Sequence, residues 1–260
     1  MRIHHALSCF AMFVAVPAGA QSCLGYCGSA APNGVVDAPP TNEEQYNFIS
    51  TFGSEFGAGQ IAGVGAGGEF STGSEFTTSL FAASSGDKLN FFFNYVTSDG
   101  FAEFADYSFA ELLSDNQHAA WLFTARTLPE GSVTPGFELP LNEATLSPGY
   151  NTIVPGGPEW DALGGWSQAC GGEGCGSTGW IGAEYDFVSG GNYSVRFGVT
   201  NYGDAQFDSG LAFTDIVLTS GGVSAVPEPT SWGMMMIGFG VVGFAKRSRR
   251  RLRPILKPAG

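Results

Sequence analysis

The sequence predicts an all-β ectodomain, an antiparallel β-sandwich of jelly-roll type, followed by a single hydrophobic C-terminal helix. Three observations predict it. Short segments with strand-like patterning recur from residue 75 to residue 219, separated by Gly, Asp, Asn and Pro turns. No segment before residue 230 shows long helical periodicity. The composition, 39 Gly and 22 Phe with only 13% charged residues, supplies turns and core rings but few of the residues that cover surface helices.

The strand candidates, in order, are Glu75–Ala83, Lys88–Thr97, Ala105–Leu113, Ala119–Arg126, Asn192–Thr200 and Ala212–Thr219. Lys88–Thr97 (KLNFFFNYVT) is the clearest, because Phe and Tyr suit a pleated, half-buried surface. Ala105–Leu113 alternates through Tyr107 and Phe109. Gly57–Gly68 is low in complexity and reads as a loop, with room for one hidden strand. Turns fall at Ser98-Asp99-Gly100 and Ser189-Gly190-Gly191-Asn192.

Both ends read as addresses rather than fold. Residues 1–20 have the form of a secretory signal: Arg2, an apolar run from Ala6 to Val16, a break at Pro17 and the small-x-small step Ala18-Gly19-Ala20. Signal peptidase is expected to cut before Gln21. At the other end Val226-Pro227-Glu228-Pro229 forms a stiff extended tetrad. The uncharged run Trp232–Ala245 follows, then the basic cluster Lys246, Arg247, Arg249, Arg250 and Arg251. The apolar run is short for a span of roughly 20 residues. Snorkelling of the flanking Lys and Arg, with local bilayer thinning, closes the gap. The positive-inside rule keeps the cluster cytoplasmic and puts the preceding domain outside. The expected organisation is therefore signal peptide 1–20, extracellular domain 21–225, sorting tail 226–251 and cytoplasmic tail 252–260.

Charge is distributed unevenly. Between residues 21 and 227 lie three basic residues, Lys88, Arg126 and Arg196, against 23 acidic ones, a net of −20. Such a domain repels nucleic acid and attracts cations. Its acidity also serves simply to keep an exported protein soluble.

Cys9 leaves with the leader, so four cysteines remain: Cys23, Cys27, Cys170 and Cys175. An even count in an exported chain favours disulfides. Of three possible pairings the local one, Cys23–Cys27 and Cys170–Cys175, is preferred, since Gly171, Gly172 and Gly174 let the second ring close. A structural zinc site is the alternative.

With its Pro227-Glu228-Pro229 step, Gly-interrupted apolar run and Arg cluster, the C-terminal stretch resembles the PEP-CTERM sorting domain. That resemblance implies recognition by an exosortase, cutting near the motif, and release or re-anchoring at the surface of a Gram-negative bacterium that makes extracellular polysaccharide. Nine residues, Leu252–Gly260, follow the basic cluster, where members often stop sooner. A second resemblance lies in the ectodomain. Asp99-Gly100, Asp106-Tyr107, Glu111-Leu112-Leu113, Asn201-Tyr202-Gly203-Asp204 and Asp208-Ser209-Gly210-Leu211-Ala212-Phe213 are similar to a pattern recurring among PEP-CTERM ectodomains. Phe207 stands where those proteins often have Tyr.

Residues able to carry chemistry are few in kind. Asp204, Asp208 and Asp215 lie on or beside one turn and suit Ca²⁺, which takes hard oxygen ligands, although the EF-hand spacing is absent. Turn capping by Asp and Asn is the plainer reading of them. Asp99, Glu103 and Asp106 form a second acidic group with the same two readings. His118 is the only histidine of residues 21–260 and has no G-x-S-x-G or H-E-x-x-H around it. Trp160, Trp166 and Trp180 flank the Gly/Cys-rich stretch and are candidates for stacking on sugars, or for core packing. The expectation is a non-enzymatic structural or adhesive component of an extracellular polysaccharide matrix, with no catalytic residues. A calcium-dependent carbohydrate-binding module and a secreted glycan hydrolase using paired carboxylates are the alternatives.

Overall fold

A computed structural model describes residues 20–64, 71–128 and 131–221. The signal-peptide hydrophobic run, the sorting tetrad, the apolar run and the basic cluster lie outside the described residues. Among those described, no helix is long and apolar enough to cross a membrane.

The chain begins with two short strands, β1 (Ser22–Leu24) and β2 (Tyr26–Ala30), then β3 (Tyr46–Ser50), β4 (Glu55–Phe56), β5 (Thr72–Thr77) and β6 (Phe81–Ala83). Three long strands follow: β7 (Lys88–Thr97), β8 (Tyr107–Ser114) and β9 (Gln117–Arg126). The short β10 (Thr145–Ser147), β11 (Val154–Pro155) and β12 (Gly176–Ser177) enclose a 3₁₀ segment at Asp161–Trp166. β13 (Ile181–Asp186), β14 (Gly191–Thr200), β15 (Ser209–Phe213) and β16 (Val217–Thr219) complete the domain.

These strands form two antiparallel sheets. One runs β1-β5-β14-β8-β9, with β4 on β5 and β6 on β14; the other runs β10-β13-β7-β15-β3-β2, with β12 and β16 also on β7. The chain passes between the sheets from β1 to β2, from β3 to β4, from β6 to β7, from β7 to β8, from β9 to β10, from β13 to β14 and from β14 to β15. Interleaving of this kind makes the two antiparallel sheets the layers of one sandwich, as the short strands and turns predict.

Two predicted strands are each broken once, for one reason. Glu75–Ala83 divides into β5 and β6, both paired with β14. Thr77 faces Arg196 and Phe81 faces Tyr193, so three residues oppose two. Ala212–Thr219 divides likewise into β15 and β16 along β7, where Phe213 faces Phe93 and Val217 faces Asn90. Each break is a one-residue bulge, which bends its strand. The Asp115-Asn116 loop between β8 and β9 has φ of 51° and 60°. Both central residues of a type I′ hairpin turn need that sign, and Asp and Asn tolerate it.

The core lies between the sheets. Phe93 of β7 stacks on Phe123 of β9 with centroids 3.6 Å apart, and Phe197 of β14 on Phe213 of β15 at 4.0 Å. Leu89, Tyr95, Leu112, Leu122, Val195 and Leu211 fill the same layer. A second cluster covers the outer face of the other sheet, where Trp160 and Leu163 of the 3₁₀ segment pack on Tyr46, Phe48, Val96 and Ala212. The outward edge of β9 is closed by irregular chain. Asn142 Oδ1 accepts from Thr124 N (2.9 Å), Glu143 Oε1 accepts from Trp121 N (3.0 Å), and Glu143 N donates to Trp121 O (2.7 Å).

Candidate functional site: a buried acidic end

At one end of the sandwich β7 runs out at Thr97 and β15 begins at Ser209, directly opposite it. That register brings together two stretches far apart in sequence, the Asp99–Asp106 loop and the Asn201–Asp208 loop. Asp99 and Asp106 are 1% exposed and Asp208 is 7% exposed. Each has a specific donor. Phe101 N donates to Asp99 Oδ1 (3.0 Å), Tyr202 N to Asp106 Oδ1 (2.9 Å), and Thr51 Oγ1 to Asp208 Oδ1 (2.8 Å). Hydroxyls knit the strands beneath: Ser209 Oγ donates to Thr97 Oγ1 (2.6 Å), Ser98 Oγ to Asp208 O (2.8 Å), and Tyr95 OH to Asp106 O (2.7 Å). Asp106 Oδ2 is buried with no hydrogen-bond partner among the described residues.

Burial is the main electrostatic fact here. It pushes the Asp99 carboxyl up to about 7, with Asp204 adding to the rise and the Phe101 amide and Arg126 opposing it. Burial also raises Asp208 to about 6, against the Thr51 hydroxyl. Asp106 is held well above the usual carboxylate range by burial and by the neighbouring charge of Asp99. Removing a carboxylate from water disfavours its charged form unless cations pair with it. Arg126 is itself 3% exposed. It is held by Ala105 O, which accepts from its Nε (2.9 Å), and by the Tyr202 ring, 4.0 Å below the guanidinium.

The second disulfide clamps this end. Cys170 and Cys175 are bonded with Cα atoms 5.5 Å apart, and Cys23 and Cys27 with Cα atoms 6.2 Å apart, the local pairing. Within the Cys170 ring, Gly171 N donates to Ser98 O (2.8 Å), Gly100 N to Gly171 O (2.6 Å), and Gly174 N to Gly100 O (3.1 Å). A Cβ on Gly100 would lie 2.5 Å from the amide nitrogens of Gly174 and Cys175. This close backbone approach therefore requires glycine. Outside the clamp sits Phe207, with φ of 60°, between Trp166 (4.5 Å) and Phe101 (6.4 Å).

The sequence candidates are thus redistributed. Asp204 and Asp208 join Asp99 and Asp106 at one end. Asp204 is a half-buried turn former whose Oδ1 accepts from Gln206 N (2.9 Å). Asp215 lies beyond the other end of β15 and accepts from Asn47 Nδ2 (2.8 Å). Glu103 is exposed on the rim. Among the described residues no group of three or more His, Cys, Asp or Glu is arranged to hold a metal ion. Trp160 is buried, its Nε1 donating to Tyr46 OH (2.9 Å). Trp180 is half-buried on Tyr46 and donates to Asp37 O (3.1 Å). Trp166 alone of the three stands beside the acidic end.

His118 belongs elsewhere, on the outer face of the β5-β14-β8-β9 layer. Its Nδ1 lies 2.8 Å from Glu111 Oε1, and its ring packs on Trp121 at 4.7 Å. Arg196 reaches Glu111 Oε2 (2.6 Å) and Glu75 Oε2 (3.3 Å), giving a charged row across four strands. Sequence reasoning missed Thr51, Thr97, Arg126, Tyr202 and Ser209 as parts of the acidic end. No local signal marks them, because they are joined by strand register alone.

Three comparisons bear on identity. Residues 225–251 match the family described as the PEP-CTERM protein-sorting motif. No curated protein matches the chain. Among solved structures, the K1 cleaved adhesin domain of Lys-gingipain from Porphyromonas gingivalis W83 aligns over 78% of this chain and 100% of that one, at 8% identity and a TM-score of 0.31. The matched motif begins four residues after the last described residue of the sandwich, and the chain is a PEP-CTERM domain-containing protein.

Proposed function

We propose that this is an exported protein, sorted by an exosortase through its tail, whose sandwich serves as a non-enzymatic structural or adhesive component of an extracellular polysaccharide matrix. The observation that carries the reading is the PEP-CTERM motif at 225–251 placed after a domain closed by two disulfides. Disulfides persist in oxidising compartments outside the cytoplasm. The test is fractionation of a tagged chain in an exosortase-bearing Gram-negative host, beside a Pro227→Ala/Pro229→Ala variant. The wild type should reach the matrix or medium while the variant stays with the membrane. Equal distribution of the two, or retention of both in the cytoplasm, would overturn the reading.

Glycan binding at the acidic end is a second reading. It is favoured by Phe101, 47% exposed, which stands with Trp166 and Phe207 beside the carboxylates. Rings flanked by hydrogen-bonding groups suit sugar faces. Binding to a glycan array that requires calcium and is lost in Phe101→Ala would put this reading first.

A further inference from the structure

The other end of the sandwich carries a second feature. Gln21 immediately precedes β1, whose Ser22 pairs with Thr77 of β5. It forms part of the wall of a cleft of about 280 Å³ at the mouth of the inter-sheet core. Phe76, Phe81, Phe197, Phe213 and Ile216 supply its apolar lining. Phe197 and Phe213 are the stacked pair of the core, so the cleft opens onto the interior packing. Residue 21 has little slack there. β1 is paired along its length, and the Cys23–Cys27 disulfide begins two residues on.

The Ala18-Gly19-Ala20 step puts signal cleavage just before Gln21. We propose that Gln21 is a modification site: on release, its new α-amine closes onto its own side-chain amide, and the mature chain starts with a pyroglutamyl ring seated at this cleft. The proposal rests on the export reading above and on cleavage at that bond. In the reaction the amine nitrogen attacks Cδ, an N–Cδ bond forms, the Cδ–Nε2 bond breaks, and ammonia leaves with a proton from the amine. Nothing is oxidised or reduced.

Three physical terms favour closure. Nucleophile and electrophile belong to one residue, so the translational cost of bringing them together is already met. The reacting form is the neutral amine, and an α-amino group loses its proton near pH ~7.7–8.0 in water. Asp215 also lines the cleft, and its carboxylate works the other way by favouring the ammonium. The lactam is neutral and replaces an ammonium beside Phe76 and Phe213.

The experiment is mass spectrometry of the N-terminal peptide of the exported protein, with free amines labelled at harvest. The expected peptide starts at residue 21, is lighter than the encoded sequence by one ammonia, carries no label at its α-nitrogen, and yields to pyroglutamyl peptidase. A Gln21→Ala variant, cut at the same bond, should be labelled and be trimmed by an ordinary aminopeptidase that leaves the wild type intact. A labelled, unmodified Gln21 overturns the modification. A first residue other than 21 overturns the cleavage on which it rests. An uncut precursor in the cytoplasm overturns the export reading with it.

Discussion

The acidic end makes the domain most stable in mild acid, which is testable by pH alone. Asp99 and Asp208 hold their protons to about 7 and about 6 in the fold, against an unfolded value of ~3.9. A carboxyl that binds its proton more tightly when folded stabilises the fold fully below the unfolded value, and that contribution is lost as pH rises through the folded one. The loss therefore falls between about pH 4 and pH 7, and Asp106 acts in the same direction. At one proton each, Asp99 is worth about 4 kcal/mol and Asp208 about 3 kcal/mol. Water entry at a loop end raises the effective dielectric, leaving about 2–4 kcal/mol of net change. For a domain of some 200 residues that is a fall of about 5–15 °C in Tm between pH 4 and pH 8, rather more than half of it above pH 5. Differential scanning calorimetry of the oxidised domain measures it. Asp99→Asn, which keeps the acceptor for Phe101 N, should raise Tm at pH 8, raise it only about a third as much at pH 5, and flatten the slope. A Tm that is level or rises from pH 5 to pH 8, or an Asp99→Asn variant with the wild-type slope, would refute the reasoning.

Two further outcomes follow from the packing. Replacing Cys170 and Cys175 together by Ala should cost about 2 kcal/mol in urea unfolding, the loop-closure value for a ring this short. The loss should be accompanied by faster hydrogen exchange at Gly100 N, which the ring holds. Arg196→Ala should cost about 3 kcal/mol, because it leaves Glu111, whose side chain is 6% exposed, without its half-buried cation. Glu75→Gln, at the half-exposed end of the same row, should change urea stability by less than about 1 kcal/mol.

Local pattern carried the long strands. Lys88–Thr97 is predicted and found with the same bounds, because alternating rings on a run of ten residues leave one arrangement that buries them. The hairpin after Leu113 is legible in Asp115-Asn116, where the two φ signs match the residue types. The bulges after Thr77 and Phe213 are not legible, since an extra residue shows only against the count on the partner strand. β13 was missed because IGAEYD alternates weakly; its place is set by six pairs with β7 rather than by its own sequence. The candidate site divides the same way. Each acidic group was visible in sequence, but Thr97 and Ser209 are 112 residues apart, and only their pairing joins the groups into one buried end. Trp160 illustrates the reverse: its position among glycines suggests a loop, yet its ring covers the outer face of β3 and β15.

The closed edge of β9 has a consequence for copies of this chain brought close together. A bare strand edge is a template on which a second copy adds its own strand, and repetition of that step makes fibres. Here the outward amides of Trp121 and Thr124 are spent on the side chains of Glu143 and Asn142. The chain supplying them bears Pro135 and Pro140, which have no amide to offer a newcomer. Neighbouring copies thus find no free amide at Trp121 or Thr124 on which to add a strand. Copies that associate must do so away from this edge.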